Sequence, residues 1–179
     1  MSRFNLIVLI SLLSFVLCLP LIMTVQLERV FVYGTLKRGQ PNHFLIENVT
    51  NGLAKFIGDA TTALRYPLVI ASQYNIPFLL PFEGKGNFIS GEVYEVDKKM
   101  LKQLDEFELH PDVYKREKIS VISNNNSLMS WCYILQRPKP KLLNLKFLDN
   151  YNNNSCAEED KYIGDTEEDT FYPSQVMES

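Results

Sequence analysis

Val32-Tyr-Gly-Thr-Leu-Lys-Arg-Gly-Gln40 is a strand end that runs into a loop bracketed by Gly34 and Gly39. Val30 and Phe31 extend its β-branched and aromatic character backwards, which predicts a first strand over Leu27–Tyr33. Gly34 stands where a Cβ would hinder a sharp turn or a close backbone approach, and a loop of this kind can aim its amides at an oxygen atom. From spacing alone, a plain strand end with a bulge at Gly34 is the favoured reading. Lys37-Arg38-Gly39 is no phosphate loop, because the Gly-x-x-x-x-Gly-Lys-Ser/Thr order is missing.

Outward from this stretch the chain reads mostly as short strands. Pro41–Glu47 suits a short helix with Pro41 in its first turn. Ala54–Leu64, Leu68–Ala71 and Phe78–Leu80 read as strands, with turns at Gln73–Pro77 and Glu83–Gly86. Phe88–Val96 alternates, and Asp97 is a natural N-cap for the one clear helix. His110-Pro-Asp112 breaks that helix, Tyr114–Ile122 resumes as a strand, and Ser130–Leu135 pairs back across the Ser123–Ser127 loop. Many short strands around one helix predict an α+β fold, a small mixed β-barrel with flanking helices. The expected organisation is an apolar leader over 1–23, one domain over 27–148 and an Asn-rich, acidic tail over 149–179, and 179 residues are too few for two comfortable domains.

A net charge of −3 and a pI near 5.5 exclude a phosphate-tracking nucleic-acid binder. Arg137-Pro-Lys-Pro-Lys141, the densest basic cluster, is interrupted by prolines and reads as a solvated linker. Cys132 and Cys156 lie beyond the leader and are compatible with one disulfide or none. No spacing of Cys with His43 or His110 suits zinc, so no metal is expected. A nucleophilic enzyme is equally unsupported, since no serine or cysteine elbow is served by a histidine.

Arg3 followed by the uncharged run Leu6–Met23 gives the positive start and apolar centre of a secretory signal, with Val16 and Cys18 at the positions that normally hold small residues. Left uncleaved it is borderline for an anchor, which takes about 20 apolar residues. A third reading is an alternative-start extension, with translation from Met23 giving a cytoplasmic protein. Secretory entry would expose the Asn48, Asn125 and Asn153 acceptor patterns to glycosylation.

The helix supplies the best candidate for chemistry. At roughly 100° per residue, Met100, Leu101, Leu104 and Phe107 share an apolar face and Glu108 projects about 50° from its centre. Asp105 and Glu106 fall about 110° and 150° away, toward solvent. A carboxyl pressed against an apolar core has its charged form disfavoured, which moves its pKa toward the range useful for proton transfer. The bland alternative makes Glu108 a helix-end residue paired with Lys115 or Arg116. Glu92, on the Phe88/Tyr94 strand face, is a second and weaker carboxylate candidate.

Val32–His43, Tyr66–Ala71, Asn75–Leu80 and Gly91–Tyr94 through Leu104–Glu108 together resemble the γ-glutamylaminecyclotransferase branch of the γ-glutamylcyclotransferase-like (AIG2-like) superfamily. The resemblance runs in order from about Val30 to Tyr133. It implies a compact β-barrel in which the loop Tyr33, Gly34, Thr35 and Leu36 holds a γ-glutamyl group and Glu108 acts as general base and acid. It also implies a small-molecule γ-glutamyl amine as partner, no cofactor, and cyclisation to 5-oxoproline with release of an amine. Tyr114 resembles a recurring family tyrosine and is expected to touch substrate. The alternatives are a cyclotransferase for γ-glutamyl amino acids and a γ-glutamyl-binding module without turnover. The apolar leader and the acidic tail depart from the family pattern; membrane association follows only if the leader is an uncleaved anchor.

Overall fold

The computed structural model describes residues 26–164 and 171–178. The leader, the alternative start at Met23 and residues 165–170 of the tail lie outside them. Seven strands are present: β1 (Glu28–Val32), β2 (Ala54–Tyr66), β3 (Leu68–Ala71), β4 (Ile76–Leu79), β5 (Asn87–Val96), β6 (Tyr114–Ser123) and β7 (Asn126–Leu135). The helices are α1 (Phe44–Glu47) and α2 (Lys98–Phe107). Five strands close a barrel in the order β1–β5–β2–β6–β7, while β3 and β4 form a separate hairpin. The barrel is mixed because β7 meets β1 in parallel, Val30 opposite Trp131, and every other pair is antiparallel. Among the described residues no helix is long and apolar enough to cross a membrane.

Alternation along β1 sends Phe31 and Tyr33 into one buried cluster, with Ile89, Val93, Val121, Cys132 and Ile134. It sends Val30 and Val32 into another, with Tyr94, Val96 and the Met100 and Leu104 side chains of α2. Both faces of β1 are thus covered, which is why its sequence is continuously apolar rather than alternating. The β6–β7 hairpin turns on Asn124 and Asn125, both left-handed at φ 49° and 62°, the geometry a two-residue hairpin loop demands. Asp97 caps α2 as its sequence suggests, its carboxylate accepting from the Met100 amide at 2.8 Å.

The chain after β7 packs on the barrel. Tyr151 is fully buried, as are Val176 and Met177 near the C-terminus. The Arg137–Lys141 stretch differs from the solvated linker expected of it: Lys139 N donates to Val176 O at 2.7 Å and Arg137 O accepts from Glu178 N at 2.9 Å. Its prolines leave few amides to pair, and the returning chain end takes that of Lys139. Cys132 is buried and Cys156 half-buried, both as free thiols.

A tight seam lies between β1 and β5. A Cβ on Gly91 would stand 2.5 Å from the Phe31 ring and collide with the Val32 carbonyl, so only glycine lets the strands approach at this point. Neither obstacle is the free end of a flexible chain. Gly91→Ala is expected to cost about 3 kcal/mol or more, a fall in Tm of roughly 10 °C in a thermal melt.

Candidate active site

The loop leaves β1 beside this seam, and Glu92, next to Gly91, holds it. The Glu92 carboxylate accepts from the Arg38 amide at 3.0 Å, the Arg38 Nε at 3.1 Å and the Tyr94 hydroxyl at 2.8 Å. Glu92 is therefore a buried carboxylate with its bonding capacity spent on positioning the loop, and its candidacy as the acid–base group lapses. From the other side, Asn42 donates through its amide to Thr35 O and through Nδ2 to Thr35 Oγ1. His43 Nδ1 donates to Leu36 O at 2.8 Å. Lys37 turns inward, its ammonium bonded to Asn150 Oδ1 and Tyr151 O at 2.6 and 2.7 Å. Both histidines thus have local structural partners: His110 Nδ1 lies 3.2 Å from Tyr114 O.

Gly34 permits a close approach as the sequence suggests, since a Cβ there would meet the Pro77 ring at 2.9 Å. The amides of Lys37, Arg38, Gln40 and Asn42 are donors in the loop's described hydrogen bonds; those of Gly34, Thr35 and Leu36 are not among them. Tyr33 differs from its neighbours. Its hydroxyl donates to Tyr133 O at 2.9 Å and accepts from Leu79 N, which binds the loop's root to β7 and β4.

Glu108 follows the last residue of α2 as its C-cap and still donates its amide to Leu104 O at 2.9 Å. Helical geometry therefore holds to this residue and stops at Leu109, which is left-handed at φ 50°. The Glu108 carboxyl enters none of the side-chain hydrogen bonds or ion pairs of the described residues. Burial alone pushes its pKa up to about 8. The residue keeps partial surface access, as the lining of an open cavity does. Arg116, the alternative partner, is taken by Asp105 at 3.0 Å, and Lys115 pairs with Glu117 at 2.9 Å. Asp105 differs from its expected solvent position, because it accepts from both Arg116 and the Tyr133 hydroxyl. Phe107 also leaves the apolar face expected of it: the helix ends there, and its ring, 40% exposed, stands at the cavity.

Tyr33, Gly34, Thr35, Leu36, Glu108 and Tyr114 all line one cavity of about 340 Å³. Burial first, and then the nearby Glu108 carboxyl, raises the Tyr114 phenol well above its ordinary range; burial also raises Tyr33. Both remain protonated donors over the pH range in which Glu108 titrates. The same cavity is lined by residues that sequence reasoning missed, Asn42, Tyr133, Tyr162 and Phe171 among them. Asn42 and Tyr133 fall inside the stretches that carry the family resemblance, yet nothing in their spacing marks them. Tyr162 and Phe171 lie in a segment whose composition reads as solvated. No cluster of three or more His, Cys, Asp or Glu side chains suited to a metal occurs among the described residues.

The profile of the family described as gamma-glutamyl cyclotransferase, AIG2-like, matches residues 30–153. The chain belongs to this family. The match spans the barrel, the loop and Glu108, and it is supported by individual relatives. A Bos taurus γ-glutamylaminecyclotransferase is 45% identical over 130 residues, 72% of this chain and 77% of the relative. The Rattus norvegicus γ-glutamylaminecyclotransferase is 41% identical over 135 residues, 71% and 91% of the two chains. The crystal structure of a Mus musculus AIG2-like protein superposes with a TM-score of 0.75 at 38% identity, over 78% of this chain and 97% of that one. As a member of the γ-glutamyl cyclotransferase family the chain is an enzyme of the lyase class.

For this cyclotransferase the buried carboxyl has a thermodynamic signature. The folded protein holds the Glu108 proton up to about pH 8, whereas the unfolded chain releases it near 4.5. Between those values the unfolded state binds fewer protons, so the contribution of this group to stability is fully present below about pH 4.5 and is lost as pH rises through 8. Glu108→Gln does not titrate. Its Tm, followed from pH 4 to pH 9, is expected to rise relative to wild type through this window and to level off above it.

Proposed function

We propose that this enzyme is a γ-glutamylamine cyclotransferase that converts γ-glutamyl-ε-lysine to 5-oxoproline and lysine, and so contributes to the breakdown of transglutaminase cross-links. The observation that carries the reading is the desolvated Glu108 carboxyl, without a partner among the described residues, in one cavity with Gly34, Thr35 and Leu36, whose amides donate in none of the described hydrogen bonds. A desolvated acid without a partner costs stability and implies a use. The substrate's α-ammonium must lose a proton before its nitrogen can attack its own γ-carbonyl. Glu108, with a pKa near the working range, accepts that proton and returns one to the departing amine.

The new C–N bond closes the five-membered ring as the old amide C–N bond breaks. The tetrahedral oxyanion between these events is held by the loop amides. Nucleophile and electrophile belong to one molecule, so the enzyme's main task is to hold the glutamyl chain in ring-closing geometry, a contribution of roughly 7–11 kcal/mol. The phenols of Tyr114 and Tyr33 stay protonated beside the carboxyl, and Tyr114 is placed to donate to the substrate. The relatives named γ-glutamylaminecyclotransferase support an amine over an α-amino acid as the leaving group.

Purified protein beginning at Met23, incubated with γ-glutamyl-ε-lysine, is expected to release 5-oxoproline. In Glu108→Gln, kcat is expected to fall about 10²–10⁴-fold, because the amide keeps the shape and cannot accept the proton. Full activity in that variant would sink the assigned base. Turnover of γ-glutamyl amino acids alone would give the site to the other cyclotransferase reaction. In the wild type, kcat/KM against pH is expected to rise along an acidic limb toward about pH 8, where Glu108 of the free enzyme ionises.

A further inference from the structure

Tyr162 and Phe171 line the cavity, yet both lie beyond residue 153, where the family match ends. Tyr162 reaches it because the β3–β4 turn anchors the segment that carries it. Asn75 Nδ2 donates to Glu159 O at 2.6 Å and to Lys161 O at 2.9 Å, and Ile163 N donates to Tyr74 O at 3.2 Å. The Tyr162 amide donates to Asn153 Oδ1 at 2.7 Å. Phe171 packs beside Phe78 with ring centroids 6.1 Å apart, and Phe78 stacks on Tyr114 at 5.8 Å. A continuous aromatic surface therefore runs from the C-terminal segment into the wall of the site.

Among the described residues of that lining Glu108 is the only charged side chain; the rest is aliphatic, aromatic or neutral polar. On the cyclotransferase reading, the γ-glutamyl half of the substrate goes to the Tyr33–Leu36 loop and Glu108. The part of the wall contributed from outside the matched region is left to read the other half. We propose that Tyr162 and Phe171 form the leaving-group wall of this cavity and select amines whose carbon stem is apolar beside the scissile nitrogen. A γ-glutamyl α-amino acid places a second carboxylate at that point, among aromatic rings, with no cation in the lining to pair it, which is costly. The methylenes of a lysine stem instead lie against the rings, and the zwitterionic head extends beyond them to water. This assignment rests on the cyclotransferase reading for the placement of the γ-glutamyl half.

Binding tests it without requiring turnover. In the Glu108→Gln background, which leaves the ligand unconsumed, calorimetry would compare γ-glutamyl-n-butylamide with γ-glutamyl-methylamide. The affinity ratio in favour of the longer stem is expected to fall about tenfold when Tyr162→Ala and Phe171→Ala are combined, and to survive in Tyr162→Phe. An unchanged ratio overturns the proposal, as does an absence of measurable affinity for either amide. If the double variant does not fold, the parent alone decides: its affinity must climb with each carbon from one to four, and a flat series overturns the wall. Wild-type protein that shows the climb and releases no 5-oxoproline would refute the catalytic reading and leave the wall standing.

Discussion

The approach of β1 to β5 at Gly91 is the constraint on which the site depends. Because the Val32 carbonyl and the Phe31 ring occupy the space of a side chain at 91, the first strand must lie close against the fifth just where it ends. The next residue, Glu92, is thereby brought within reach of the Arg38 backbone and guanidinium, and the loop from Tyr33 to Gln40 leaves the barrel along one path. On the opposite side Gly34 lets the loop settle against Pro77 of the β3–β4 hairpin. Two absent side chains and one spent carboxylate thus aim the loop at the cavity.

Glu108 is held to a different logic. Three neighbouring charged groups are matched: Glu92 has three donors, Asp105 has two, and Lys37 has two acceptors. Among the described residues the Glu108 carboxyl has no hydrogen-bond or ion-pair partner, and desolvation raises its pKa. The neighbouring Arg116 is diverted to Asp105, and Tyr133 donates to that same aspartate, so the groups that would quench the carboxyl are occupied one turn away. Asp105 thus holds Arg116, one of the two cations that the sequence offers Glu108 as a partner. Such an arrangement costs stability and leaves a carboxyl whose pKa is raised to about 8.

Much of this was legible in the sequence, for identifiable reasons. The strand order needs long-range pairing that no local pattern encodes, but the strands themselves announce themselves through β-branched runs, and the α2 cap through Asp97. Glu108 was legible because helical periodicity persists to the residue after Phe107. Asp105 was not, because its partners Arg116 and Tyr133 come from β6 and β7, and the angular count knows only the helix. Two aromatic residues of the cavity lining were hidden for a related reason: Tyr162 and Phe171 sit in acidic, Asn-rich surroundings, and their placement comes from hydrogen bonds of residues 159–163 to the β3–β4 turn and from the Phe171–Phe78 ring contact rather than from an apolar pattern of their own.

Lys37 ties these elements into one thermodynamic unit. Its ammonium lies beneath the loop, bonded only to oxygens of residues 150 and 151, so lifting that segment would strand a desolvated cation. The Tyr33–Gln40 loop and the chain that follows residue 149 must therefore open together, as a single cooperative patch rather than as two independent flaps. Sequence changes after residue 149 are then felt, through one lysine, in the loop that lines the cavity with Glu108.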